Sequence, residues 1–324
     1  MTKFGLTLSS EEHGPRRLLE IAELAEATGF DFVSISDHFH PWVDEQGHSP
    51  NVWPMLGAIG ERTSDIDIVV GVSCPIMRIH PVINAHLVAT TSHLLGKRFT
   101  WGVGTGEALN EHVLADRWPP APERIDMLEE AITLMRELWK GESVTFDGAY
   151  YSCENARIYD APEQQIPVVM SAFGPVAAKV AARVADGLWI TGTTSDGIDV
   201  WNDNDGSGPI YSQLTFCWGE DESKALDLAH RVWPNAGVPG QLSQDLPTPK
   251  HFEQAVEIVT RELVAENVPC GPDLTKVAEQ AEEAIANGVD HLYFHQIGDD
   301  QEGFCQAWTE DLAPRLKKAA KKPK

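Results

Sequence analysis

Basic residues are scarce in this chain. Lysine and arginine number 25 against 49 acids, a formal charge of −24 over 324 residues. Five of those bases are lysines crowded between Lys317 and Lys324, so the remainder is more acidic still. Nucleic-acid binding neutralises phosphates and needs a basic face, so no nucleic-acid partner is expected. The surplus carboxylate suits either plain solubility or a cytoplasm of high salt, and the basic tail, 316–324, reads as a solvated end. Cysteine is sparse too. The five, at 74, 153, 217, 270 and 305, never fall in CxxC spacing, which speaks against a disulfide framework and a zinc knuckle. No apolar run approaches the roughly 18 residues that span a bilayer. The opening Met1 to Leu6 passes straight into a strand pattern with no leader signature, so a cytoplasmic protein without membrane contact is expected. His38, His40, His48, His80, His86 and His93 lack HxxxH and HExxH spacing, and no metal site is expected.

Apolar residues make up 42% of the chain, ample for a core. Short, almost wholly apolar runs at 4–9, 31–36, 66–73, 99–103, 167–171, 188–191, 213–218 and 291–295 read as parallel strands buried on both faces. Helical patterns lie between them at 14–28, 51–62, 81–94, 122–139, 174–185, 221–233 and 273–287, with Gly29 and Gly288 as stop signals. Eight strands, each trailed by a helix, predict an α/β fold of the (β/α)8 TIM-barrel class, with the whole chain, 1–324, as one domain. Three stretches interrupt the repeat. Residues 142–160 read as a β-hairpin turning at Asp147-Gly148, 195–210 as a polar loop, and 234–251 as a Pro/Gly-rich connection. Insertions of this kind on a barrel are expected to shape the substrate side.

In such a barrel the chemistry sits where strands end. The fourth strand runs into Gly102-Val103-Gly104-Thr105-Gly106-Glu107-Ala108-Leu109-Asn110-Glu111, three glycines, a hydroxyl, carboxylates and an amide within ten residues. Glycine lets backbone amides approach an anion where a Cβ would clash, so this run reads as a cradle for an anionic cofactor with Glu107 aimed at its reactive part. The second strand ends in Asp37-His38 with Trp42 close behind. An imidazole titrates near neutrality, which makes His38 a candidate acid–base group. Gly174, opening the helix after the fifth strand, and the Thr191-Gly192-Thr193-Thr194 string supply further anion-binding backbone and hydroxyls.

The strings Ser36-Asp37-His38-Phe39-His40-Pro41-Trp42, Gly60-Glu61-Arg62-Thr63, the glycine run, Phe146-Asp147-Gly148-Ala149-Tyr150-Tyr151 and Asp311-Leu312-Ala313-Pro314-Arg315 resemble the luciferase-like F420-dependent oxidoreductases. The resemblance covers nearly the whole chain, and within that family it points to the branch of F420-dependent glucose-6-phosphate dehydrogenases. It implies a barrel that binds the deazaflavin coenzyme F420, a homodimer, and hydride transfer between a substrate carbinol carbon and C5 of the coenzyme. By position it implies that Asp37, Ser73, Cys74, Thr105, Gly106, Glu107, Asn110, Ala172, Phe173, Gly174 and Thr193 line the coenzyme, with a non-proline cis peptide near Ser73-Cys74. It places His38, Glu107, Trp42 and Glu11 around the reacting centre. The alcohol must lose its hydroxyl proton and the reduced ring must gain one, tasks that suit His38 and Glu107, while Trp42 excludes water.

The resemblance fails at one place. Members of that branch hold a sugar phosphate with basic residues of the late barrel, and alignment puts Ser195, Gln241 and Glu266 there. None is basic, so a small, unphosphorylated hydroxyl compound (sugar, polyol or secondary alcohol) is the expected substrate. Lys250 or Arg261 would be the substitutes if a phosphate site were rebuilt. The other readings are glucose-6-phosphate oxidation itself, the reverse reduction of a carbonyl or alkene, FMN-dependent monooxygenation, and a non-catalytic coenzyme carrier.

Overall fold

The computed structural model describes residues 2–320. The strands are β1 (Lys3–Leu8), β2 (Phe32–Ile35), β3 (Asp67–Ser73), β4 (Phe99–Val103), β5 (Val144–Asp147), β6 (Ser152–Ala156), β7 (Val168–Ser171), β8 (Gly187–Thr191), β9 (Ile210–Phe216) and β10 (His291–Gln296). Eight of them close a parallel barrel in the order β1-β10-β9-β8-β7-β4-β3-β2, and β5 pairs with β6 as a separate antiparallel hairpin. Helices fill the gaps between barrel strands, as the alternating pattern predicts. Among the described residues no helix is long and apolar enough to cross a membrane.

Strand alternation divides the core in two. Phe4, Leu6, Val33, Ile35, Ile68, Val70, Leu188 and Phe294 belong to the large cluster shared with the helices. Phe32, Val69, Val169, Trp189, Tyr211 and Tyr293 form a smaller cluster that fills the lumen. Space for those rings comes from missing side chains: a Cβ on Gly5 would meet the Phe32 ring at 2.5 Å, and one on Gly71 would meet Trp189 at the same distance. Trp189 stacks on Tyr211 with centroids 5.0 Å apart, and Tyr293 tilts against Trp189 at 5.1 Å. The barrel is therefore plugged by aromatic rings, and open space is left only above them.

His291, at the start of β10, lies beneath the plug with its ring stacked on Tyr211 at 4.3 Å. Burial, reinforced by the charge of Lys3, pushes its pKa down from 6.5 to about 4. The unfolded chain takes up a proton at this residue between those pH values and the folded chain refuses it. Stability is thus complete above pH 6.5 and is lost as pH falls toward 4, by about 3 kcal/mol across the window. His291→Phe removes that contribution. Denaturant melts at pH 7 and pH 4.5 should show a smaller acid loss in the variant, and an unchanged difference would overturn the assignment.

The insertions depart from expectation in detail. Asp147 still pairs with Ser152 within the hairpin, and the turn spans residues 148–151, closed by the Gly148 N–H on the Tyr151 carbonyl. The polar stretch after β8 contains a helix, Asp196–Asp203, because Ile198 and Trp201 give it an apolar face to bury. Residues 234–251 are not a plain connection either, since Leu242–Asp245 and the start of Pro249–Val256 are helical. The cis peptide is Gly71–Val72, earlier than expected, within the stretch of β3 where its register to β4 shifts between Val70 and Ser73. The basic tail falls partly beyond the described residues, which end at 320.

Candidate active site

Above the aromatic plug, at the ends of the strands, lies a cavity of about 700 Å³, within the range of small-molecule sites. Trp189 and Tyr293 form its floor. One wall comes from β3, β4 and β7 with their following loops: Ser73, Cys74, residues 104–107, Ser171 and Gly174. Across the barrel, β1, β10, β9 and β8 supply Ser9, Glu11, His295, Gln213 and Thr191. The loop after β2 lies between the two walls and contributes Asp37, His38 and Trp42.

His38 is fixed on three sides. Its Nε2 lies 3.2 Å from Glu11 Oε1. Glu11 is itself held through Oε2, which accepts from Ser36 Oγ at 2.7 Å and Ser9 Oγ at 3.1 Å. Trp42 tilts over the imidazole with ring centroids 5.1 Å apart and is backed edge-on by Phe252. Asn110 ties this group to the glycine run. Its Oδ1 accepts from the backbone amides of Phe39 at 2.8 Å and His40 at 3.2 Å, which orients the side-chain amide. Nδ2 then donates to Glu107 Oε2 at 3.1 Å and lies 3.2 Å from His38 Nδ1. His38 Nδ1 is also 3.1 Å from the His40 carbonyl. The Glu11 carboxylate beside Nε2 and the Asn110 amide beside Nδ1 favour the proton on Nε2, donated to Glu11, with Nδ1 accepting from Asn110 Nδ2.

Three charged residues brace the wall formed by β3 and β4. Arg78 Nη2 donates to Asp37 Oδ1 at 2.9 Å, and its Nε lies 3.5 Å from Glu111 Oε1. The Arg78 backbone amide donates to Glu111 Oε2 at 2.9 Å. Burial pushes the Glu111 carboxyl up to about 7 despite the attraction of Arg78, with Asp37 and Glu107 adding to the rise. Burial likewise raises the Cys74 thiol, helped by the negative charge of Glu111, so Cys74 is a packing thiol rather than a nucleophile. Gly106 fits between them with φ +73°, where a Cβ would meet Cys74 Sγ at 2.5 Å and Glu111 Cγ at 3.0 Å.

Most residues singled out from the sequence meet in this one cavity: His38, Glu107, Trp42, Glu11, Asp37, Ser73, Cys74, Thr105, Gly106, Asn110, Phe173, Gly174 and Gln241 all line it. Four do not. Ala172 is buried with its amide donating to the Trp189 carbonyl. The Thr193 carbonyl accepts from Asn287 Nδ2 at 2.6 Å, and Ser195 occupies the N-cap of Asp196–Asp203. Glu266 lies on the helix Arg261–Asn267, whose Val264 packs into a separate cluster under Val232 and Val259. Arg261 pairs with Asp227 at 2.7 Å, and neither it nor Lys250 lines the cavity. Sequence reasoning gave no role to Arg78 or Glu111, and it did not pair Glu12 with His295, buried 2.8 Å apart at the wall opposite the glycine run. Among the described residues no three His, Cys, Asp or Glu side chains are grouped to hold a metal.

The family model described as luciferase-like monooxygenase matches residues 1–291. The chain is 36% identical over 329 residues, 98% of each chain, to an F420-dependent glucose-6-phosphate dehydrogenase of Microbacterium testaceum. It is 35% identical, over 98% of this chain and 99% of the other, to the protein so named in Mycolicibacterium smegmatis. Among solved structures it is similar to an F420-dependent secondary alcohol dehydrogenase in complex with an F420-acetone adduct, at 28% identity and a TM-score of 0.89 over 97% of this chain and 99% of that one.

Proposed function

Since the chain belongs to the luciferase-like monooxygenase family, we propose that it is a coenzyme F420-dependent oxidoreductase acting on a CH–OH group of an unphosphorylated substrate. One observation carries the choice of substrate. Among the described residues no lysine or arginine lines the cavity, whereas Glu11, Asp37, Glu107 and Glu111 do. Arg78 is spoken for by Asp37 and Glu111. Arg124, the other buried guanidinium nearby, is turned to the Pro119 carbonyl and to Gln244 on the cavity rim. A substrate phosphate dianion would enter among carboxylates with no cationic side chain lining the cavity to neutralise it, and like charges at close range in a poorly solvated pocket cost several kcal/mol. The same reading carries a cytoplasmic homodimer.

The residues present fit the coenzyme. Ser73 Oγ, on the cofactor-facing wall, is buried with no partner among the described residues. Beside it the helix Pro175–Val184 has no side-chain cap, and a Cβ on its N-cap, Gly174, would stand in open space. The first-turn amides of Val176 and Ala177 are free to hold an anion at the cavity edge. Ser73, Thr105, Gly106, Gly174, Val176 and Ala177 would hold the group. When bound, F420 supplies a two-electron hydride acceptor.

The chain's own groups manage the protons. The His38–Glu11 pair accepts the hydroxyl proton of the alcohol as its carbon becomes a carbonyl, with Nε2 and Oε1, 3.2 Å apart, sharing the proton taken up. Asn110 fixes Glu107 through Oε2, which leaves Oε1 to hold or give up a proton on the cofactor side. Trp42 covers the imidazole and keeps bulk water off.

Parallel titrations with F420 and FMN, followed by a panel of neutral alcohols, polyols and glucose 6-phosphate read on the oxidised deazaflavin band, test this reading. F420 binding with turnover of a neutral alcohol is expected. Binding of FMN alone would overturn the cofactor assignment, and efficient turnover of glucose 6-phosphate would overturn the substrate class.

A further inference from the structure

The wall opposite the glycine run holds a polar group that the proton chemistry does not use. His295, at the end of β10, and Glu12, just beyond β1, have side chains only 2% and 3% exposed. Glu12 Oε1 lies 2.8 Å from His295 Nε2, and Glu12 Oε2 accepts from the Gly298 amide at 2.8 Å. Burial disfavours the Glu12 charge, but its hydrogen bond with His295, the charges of His295 and His13, and the Gly298 amide outweigh this and hold its pKa below the usual carboxylate range. A charged Glu12 keeps a proton on His295 Nε2, so in the neutral ring Nδ1 is an acceptor.

That acceptor is poorly used. Among the described residues its contact is the Thr215 hydroxyl at a long 3.4 Å; Thr215 Oγ1 also accepts from Gln213 Nε2 at 3.0 Å. His295 and Gln213 both line the cavity, and the Trp233 ring, also lining it, stands edge-on to the imidazole at 4.4 Å. A little below, Thr7 Oγ1, on β1, is buried with no hydrogen-bond partner among the described residues. Two polar side chains, an orphaned hydroxyl and an aromatic plate thus face the cavity on the side away from the glycine run. A wall meant for a bare alkyl group would not bury these polar atoms half-satisfied.

We infer that His295, oriented by Glu12, and Gln213 form a hydroxyl-anchoring subsite, so that the substrate is a neutral polyol or sugar carrying a second hydroxyl next to the one oxidised. His295 Nδ1 accepts that hydroxyl's proton, and Gln213 addresses its oxygen. Trp233 packs on the carbon skeleton. This inference rests on the reading of the cavity as an F420-dependent alcohol site. A site built to bond a hydroxyl discriminates strongly against the analogue that lacks it, because its buried polar groups are then left unpaired.

The test uses F420-loaded protein with propan-2-ol, propane-1,2-diol and glycerol, read by loss of the F420 band and by calorimetric binding. Wild type should favour the diol over propan-2-ol by at least about tenfold in kcat/KM or affinity. In His295→Asn that ratio should fall to within about threefold of unity. The double variant Glu12→Gln/His295→Phe removes the buried charge with the ring shape kept, and it serves if the single variant fails to fold. It should show the same collapse. A wild type that treats the two alcohols alike or responds to neither, or a variant ratio unchanged from wild type, overturns the inference. Failure of wild type to bind F420 would instead sink the underlying cofactor assignment, and fluorescence titration in the absence of alcohol separates the two.

Discussion

His38→Ala should lower kcat by roughly 10²–10⁴, the range for loss of a general base, while F420 affinity stays within about threefold. The asymmetry follows from where His38 stands. It belongs to the loop between the two walls, braced by Glu11, Asn110 and Trp42, whereas the groups suited to hold the coenzyme sit on β3, β4 and β7. Removing the imidazole leaves Glu11 held by Ser9 and Ser36, and Asn110 held by two backbone amides and Glu107. The scaffold around the missing ring therefore persists, and the defect falls on the proton step. Single-turnover reduction of F420 together with a fluorescence binding titration reads the two quantities separately. A parallel loss of both would make His38 a cofactor-positioning residue.

Gly106→Ala should cost stability and cofactor binding together. The residue needs φ +73°, which a non-glycine residue adopts at a cost of about 1–3 kcal/mol. The new methyl would also sit 2.5 Å from Cys74 Sγ, an overpacking worth about 1–3 kcal/mol more. Both neighbours are hard to move, since Cys74 is buried and Glu111 is anchored by Arg78. The loop carrying Thr105 and Glu107 is expected to shift, with a loss of F420 affinity of at least tenfold and a lower melting temperature. Adding Cys74→Ala should recover the steric part and leave the backbone part. Recovery of full stability in the double variant would show that φ at this position is not the constraint described.

The barrel was legible because each strand is a short apolar run that must be buried on both faces, as Phe32 to Ile35 and Val168 to Ser171 are. His38, Glu107 and Asn110 were legible for a related reason: closing the barrel brings strand ends to one rim however far apart they lie in sequence. Arg78 and Glu111 were not. A lone arginine in a loop reads as a surface charge, and only tertiary closure places it against Asp37, 41 residues away, and Glu111, 33 residues away. Glu12 and His295 stand 283 residues apart and meet because the first and last strands are neighbours. Glu266 went astray because 234–270 contains no barrel strand to fix the alignment, and its helix is positioned by its own apolar cluster.

The stacked rings of Trp189, Tyr211 and Tyr293 make the barrel a well rather than a tunnel. Whatever reacts in it arrives and departs over the same rim, beside Trp42, Gln241 and Gln244. An alcohol waiting to enter and a carbonyl waiting to leave must use one doorway in turn. Substrate alcohol and carbonyl product therefore compete for the same floor of aromatic rings.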